Sequence, residues 1–191
     1  MDSTLFVVLS LAAILLLSLM LFLALFEPGL KYSIARLPEA SLGTPYFVPD
    51  RSAREELVRA IRDRGVAVRI LTPGRHSDQF LTRRSSRRLY GDLLEAGAEI
   101  REYRPAMIHV KSLVVDELWS VVGSTNFDNR SFGLNDEVNL AACDATLARR
   151  LLEDFARDLA HSRAVSYQDW RRRPLTERSQ ELVGWLLERQ Q

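Results

Sequence analysis

Lysine is nearly missing from this chain. Lys31 and Lys111 are its only two, and arginine fills the rest of the 26 basic positions. Cysteine is scarcer still: Cys143 stands alone, which excludes an internal disulfide and fits a reducing compartment. With three histidines, His76, His109 and His161, and that one thiol, no run has the spacing of a metal-ligand cluster. A Gly-rich nucleotide loop and a Ser-His-Asp arrangement are also missing, so neither cofactor nor metal is expected. Charge of one sign is not in excess, because the formal net charge is +1. That balance counts against nucleic acid as the partner.

Apolar residues are plentiful and unevenly placed. Thr4–Phe26 is an uncharged run, and at 1.5 Å per residue it reaches roughly 35 Å, enough to span a bilayer core of about 30 Å. A cleaved signal peptide is the rival reading. Asp2 in place of a basic start, the length of the run and the lack of an A-x-A site all oppose it. Lys31 and Arg36 follow the run and no basic residue precedes it, so the positive-inside rule places the C-terminal part in the cytoplasm. The expected organisation is a membrane helix over 1–26, a juxtamembrane linker over 27–43 and one domain over 44–191.

Within that domain the hydrophobic pattern alternates between helical and strand periods. It predicts a strand in TPYFVP, a helix over Ser52–Arg64, a strand over Val66–Leu71 and a helix near Ser85–Glu95. Strands then follow at Glu99–Tyr103, Ile108–Val115, Trp119–Val122 and Glu137–Ala142, and a helix at Ala145–Ala160. Gly65 and Gly97 read as C-caps. The expected class is α/β, a mixed sheet flanked by helices, preceded by one transmembrane helix. The basic stretch Arg75–Arg88 suits either anionic headgroups or a solvated helix face. The tail after Pro174 is amphipathic through Leu175, Leu182, Trp185 and Leu186, which suits packing on the domain or an interfacial position.

The most informative text is His109-Val-Lys111-Ser-Leu-Val-Val-Asp116, followed by Gly123-Ser124-Thr-Asn126. On a strand, His109 and Lys111 share a face and Val110 turns to the other. An imidazole beside an ammonium suits a phosphodiester: the neutral ring nitrogen can attack phosphorus, and the cation balances the non-bridging oxygens. Lysine is the compact choice in a chain that otherwise uses arginine's wide fork. Ser124 and Asn126 can add donors to the same phosphate. Asp116 falls at the turn between two strands, where Asp commonly bonds local backbone.

This text resembles the catalytic signature of the phospholipase D superfamily. The flanking TPYFVPD, LLEAGAEIREYRP, VVGSTNFDNRS and LNDEVNL narrow the resemblance to the C-terminal half of bacterial cardiolipin synthases, over residues 43–176. The resemblance implies a catalytic set of His109, Lys111, Asp116 and Glu137, with Lys111, Ser124 and Asn126 holding phosphate. Asp116 reads as structural rather than as a proton carrier. Glu137 is implied to hydrogen-bond the catalytic imidazole and fix its tautomer. Two positions depart from the family text: Glu117 stands where Gly is usual, and Val110 where a small residue is usual.

Enzymes of this superfamily build one site from two such motifs, one histidine attacking and the other protonating the leaving oxygen. This sequence holds one motif, since neither His76 nor His161 has the partner residues downstream. The resemblance therefore implies a phosphatidyltransferase using a phosphatidylglycerol-like phospholipid at the bacterial cytoplasmic membrane. A second motif is then needed from a homodimer partner or a two-motif chain. A homodimeric one-motif phosphodiesterase or nuclease, and a catalytically silent relative, stay open beside it.

Overall fold

The computed structural model describes residues 39–76, 80–174 and 177–178. The elements run β1 (Glu39–Gly43), β2 (Phe47–Val48), α1 (Arg51–Arg64), β3 (Ala67–Pro73), α2 (Phe80–Arg88), α3 (Tyr90–Ala96) and β4 (Glu99–Tyr103). There follow β5 (Ser112–Val115), β6 (Trp119–Gly123), β7 (Phe127–Asp128), α4 (Asn129–Gly133), β8 (Asn139–Cys143), α5 (Ala145–Ala160), β9 (Ser162–Ala164) and α6 (Tyr167–Arg171). Among the described residues, seven strands form one sheet in the order β8-β6-β5-β1-β3-β4-β9, and β2 pairs with β7 beside it. Strands β1, β3 and β4 are mutually parallel, while β5, β6, β8 and β9 join antiparallel. The α/β class with a mixed, helix-flanked sheet is what the sequence pattern predicts.

Each parallel step needs a crossover, and a capped helix supplies it. Asp50 accepts the Ala53 amide at 2.7 Å to open α1, and Gly65 closes it at φ 68°. Gly97 closes α3 at φ 110°, so both glycines serve as the expected C-caps. Strand β3 is buried on both faces, as an inner parallel strand should be. Its Ile70 is wholly buried, and Thr72 meets the Tyr90 hydroxyl at 3.1 Å on the same face. On the other face Leu71 packs with Ile108 and Phe155 of α5, and the Arg69 guanidinium lies 5.8 Å from the Phe155 ring centre.

Four expectations need correction. Glu39–Gly43, assigned to the end of the linker, is the strand at the middle of the sheet, held by β3 on one side and β5 on the other. Its composition is small and polar, but Ser41 and Leu42 are buried by their neighbours. The single helix near Ser85–Glu95 is two helices. Trp170 donates its indole N–H to the Arg87 carbonyl at 2.6 Å, and its ring lies where a side chain on Gly91 would project. Strand β5 begins at Ser112, so His109 and Lys111 lie on the approach to it rather than within the ladder. The strand at Glu137–Ala142 begins at Asn139, leaving Glu137 in the preceding loop.

The N-terminal run Thr4–Phe26, the linker up to residue 38 and the positions of the tail named above lie outside the described residues. Among the described residues no helix is long and apolar enough to cross a membrane.

The hairpin between β5 and β6 turns on Asp116 and Glu117, with φ of 58° and 52°. Leu118 N–H bonds the Val115 carbonyl at 3.2 Å, so this is a two-residue turn with two left-handed positions, the geometry that Glu117 fits poorly. Asp tolerates the left-handed region; Glu has no local compensation there. Glu117→Gly should therefore stabilise the fold by about 0.5–1 kcal/mol, after allowing for glycine's greater freedom in the unfolded chain. The check is a higher urea midpoint at unchanged slope.

Candidate functional site

Where β1 ends and β5 begins, the sheet opens into a cleft of ≈ 420 Å³. Leu42, Thr44 and Leu113 form its floor, and Lys111, Asn126, Asn135 and Glu137 stand on its rim. The register explains why these meet. Leu42 pairs with Leu113 across β1 and β5, so Lys111, two residues earlier, falls on the same face. The Lys111 carbonyl accepts the Gly123 amide at 3.2 Å, which extends the hairpin by one residue and sets Ser124 beside it.

The Lys111 ammonium reaches the cleft and donates to the His109 carbonyl at 3.5 Å. His109 is exposed, its ring set edge-on to Tyr46 at 6.4 Å between centres. Val110 turns away and packs against the Leu71–Ile108–Phe155 cluster, as alternation requires. Its bulk is accommodated because Gly43 lies underneath: a Cβ there would sit 2.9 Å from Val110 Cγ1. The unusual valine is thus matched to a glycine in the strand beside it.

Ser124 and Glu137 are joined directly. The Ser124 hydroxyl donates to Glu137 Oε2 and accepts the Val138 amide at 2.9 Å, while Ser124 N–H donates to the Val138 carbonyl at 2.9 Å. Asn135 Nδ2 donates to the other carboxylate oxygen at 3.3 Å. The Ser124 hydroxyl holds the Glu137 carboxyl below its usual range against desolvation, with smaller help from Ser131, Asn135 and the Lys111 charge. It is ionised at neutral pH.

The expected bond from Glu137 to the His109 imidazole does not form within this chain. The carboxylate is already engaged by Ser124 and Asn135, and His109 meets Tyr46 instead. Asn126 donates to Ser131 Oγ at 3.4 Å, and its buried Oδ1 has no partner among the described residues. Rotating the amide by 180° would let Oδ1 accept from Ser131 and turn the NH₂ group to the cleft.

Asp116 is not brought to the cleft. It occupies the turn at the other end of β5, roughly 16 Å along the strand from Lys111, and its amide bonds the Glu39 carbonyl at 3.1 Å. Its place in the motif is explained by the turn. Sequence reasoning missed Asn135 and Asn139. Asn139 donates to Thr125 Oγ1 at 2.6 Å and so ties the loop after β6 to β8. Their one signal is alternation about Glu137 in the run Asn-Asp-Glu-Val-Asn.

The family profile described as "Cardiolipin synthase, PLD-like domain" matches residues 37–159. The chain belongs to that family. It is 36% identical over 141 residues to the minor cardiolipin synthase ClsB of Bacillus subtilis, covering 74% of this chain and 35% of that protein. It is 40% identical over 144 residues to the major cardiolipin synthase ClsA of the same organism, covering 75% and 30%. The chain thus spans about a third of the length of these cardiolipin synthases. Among solved structures the fold is similar to Nuc, a phospholipase D family member from Salmonella typhimurium. That match has a TM-score of 0.60 at 22% identity and covers 71% of this chain and 87% of Nuc.

Two outcomes follow for this PLD-like site. A folded carboxyl pKa lowered by native contacts contributes stability above the ordinary carboxylate range, which is lost as pH falls through the folded value. Ser124→Ala removes the largest cause, so the Glu137 pKa, followed by carboxyl-carbon NMR, should rise toward 4.5. Gly43→Ala should destabilise by roughly 1–3 kcal/mol through overpacking, and Val110→Ala should relieve part of that cost in the double variant. Additive effects in that cycle would show that the two side chains do not compete for space.

Proposed function

We propose that this chain contributes one half of a phosphatidyl-transferring site of cardiolipin synthase type. The observation that carries the reading is Lys111, Asn126 and Glu137 on one cleft, with Ser124 bonded to that carboxylate and the exposed His109 two residues before Lys111. An ammonium, a hydroxyl and an amide offer donors to phosphate oxygens, and the exposed His109 supplies an accessible nitrogen on the same segment as Lys111. Glu137 supports the need for a second half. Its carboxylate does not orient His109, and it sits among exposed apolar side chains, with Leu134 78% and Val138 81% exposed and Phe132 and Leu140 also bare. Such a rim suits a docked partner. In this reading Glu137 orients the imidazole of the second motif, and the partner's carboxylate orients His109.

The reaction then runs in two displacements. A neutral imidazole nitrogen forms a bond to phosphorus of a phosphatidylglycerol-like donor, and the bond from phosphorus to the glycerol oxygen breaks. The second imidazole, protonated, gives its proton to that oxygen. An acceptor alcohol returns a proton to the second imidazole and attacks phosphorus, and the nitrogen–phosphorus bond breaks. His109 takes the nucleophilic or the acid role according to which half binds the donor. Thr4–Phe26 anchors the chain in the bacterial cytoplasmic membrane, with the domain on the cytoplasmic side. The second motif comes from a homodimer partner or from a two-motif chain.

The test is the full chain in phosphatidylglycerol vesicles, assayed for transfer with and without a two-motif relative, and separately on DNA. His109→Ala should lower turnover by roughly 10³-fold or more. Lys111→Arg should also impair it, because a planar fork does not replace a compact ammonium. Specific activity rising with chain concentration identifies the homodimer, and activity only on adding the relative identifies the mixed site. Full activity in His109→Ala, or cleavage of DNA alone, would remove the phosphatidyltransferase reading.

A further inference from the structure

A second cavity, of ≈ 350 Å³, opens at the ends of β3 and β4 and has no part in the site described above. Its lining is dominated by arginine: Arg75, Arg83, Arg87, Arg104 and Arg163, with His76 and one carboxylate, Glu102. Glu102 is buried and shared, 3.2 Å from Arg83 and 3.7 Å from Arg87. Glu177 also approaches Arg87, at 3.2 Å. Five guanidiniums thus line the cavity with one carboxylate among them. Among the described residues, Arg75, Arg104 and Arg163 have no carboxylate partner, and the Nε–H groups of Arg83 and Arg87 are buried without an acceptor. Arg83 and Arg87 are the largely buried, carboxylate-paired members, while Arg75, Arg104 and Arg163 are exposed, so an anion entering the cavity meets an excess of guanidinium donors. Gly74 shapes the wall, since its amide bonds the Tyr103 carbonyl at 2.8 Å and any Cβ there would strike that oxygen.

The placement of this cavity gives it meaning. Leu113, Leu42, Ile70 and Ile100 form one cross-strand row through β5, β1, β3 and β4. The next row toward the strand ends holds Lys111, Thr44, Thr72 and Glu102, all on one face. Lys111 and Glu102 are therefore three strand spacings apart, roughly 14 Å, on the same face and the same edge. Residues 104–111 join the two places directly, with Arg104 in the cavity and Lys111 in the cleft.

We infer that the arginine cavity is a second phosphate subsite, which takes the phosphodiester of the acceptor phospholipid while Lys111 and its neighbours hold the donor phosphate. This rests on the transferase reading proposed above. A lipid alcohol that attacks through its glycerol headgroup carries its own phosphodiester a few bonds from the attacking oxygen. An enzyme that prefers it to water gains by binding that second anion close to the first. Guanidinium is suited to this, because it offers paired donors to phosphate oxygens.

The test uses the full chain in zwitterionic detergent, titrated with glycerophosphoglycerol and, separately, with inorganic phosphate. The Nε–H resonances of Arg83 and Arg87 serve as local reporters. The diester should shift them and bind more tightly than inorganic phosphate, and Arg104→Gln with Arg163→Gln should weaken it roughly tenfold or more. Both positions are exposed, and an unchanged circular dichroism spectrum would verify the fold. Equal or tighter binding of inorganic phosphate would overturn the lipid assignment in favour of a free-phosphate site, and unmoved resonances would overturn the subsite itself. His109→Ala should leave this affinity intact. Binding without turnover would thus count against the transferase reading alone, and turnover without binding against the subsite alone.

Discussion

The fold depends on one insertion: Glu39–Gly43 lies between Ala67–Pro73 and Ser112–Val115, parallel to the first and antiparallel to the second. It is the strand that joins the parallel part of the sheet to the hairpin carrying the motif. Without it, Lys111 would have no floor of Leu42 and Thr44, and Val110 no glycine beneath it. A segment of small residues suits this position because it is packed from both sides, and bulk there would part the sheets of contact on either face.

A division of labour across the sheet follows from that arrangement. One face is apolar and closed by α5, where Leu71, Ile108 and Phe155 meet with Val110 beside them. The other face grows polar toward the carboxyl ends of the parallel strands, where Thr44, Thr72 and Glu102 are buried in one row. Buried hydroxyls and a buried carboxylate persist there because each has a partner: Thr44 bonds Tyr46 and Phe127, Thr72 bonds Tyr90, and Glu102 meets arginines. Burial also pushes the Tyr90 hydroxyl pKa up, so it stays protonated and serves Thr72 as a neutral partner. The Lys111 cleft and the arginine-lined cavity both sit on this polar edge. The chain belongs to the cardiolipin synthase, PLD-like family, and on this edge the Glu137 carboxylate binds Ser124 rather than His109.

Much of this fold is legible in the sequence. The helix at Ala145–Ala160 and the strand at Glu99–Tyr103 agree with the hydrophobic period to the residue, and α1 differs from its expected start by one. Their signals are local: an N-cap aspartate, alternation, a glycine in the left-handed region. The elements that were misread depend on distant partners. The helix near Ser85 breaks because Trp170 claims the Arg87 carbonyl from eighty-three residues away. The basic run there reads as headgroup-seeking or solvated, yet Arg83 and Arg87 are largely buried on Glu102 and Glu177.

The sequence by itself determined the family, because a motif at fixed offsets carries its signature, and alternation assigns Lys111 and Val110 to opposite faces. It also determined the α/β class, through periods that each segment carries within itself. Only the tertiary structure decided that Glu137 binds Ser124, that Asp116 is a turn residue remote from the cleft, and that an arginine-lined cavity shares its edge. Those outcomes depend on which strand lies beside which. Strand order is set by packing between segments far apart in the chain, and no local period encodes it.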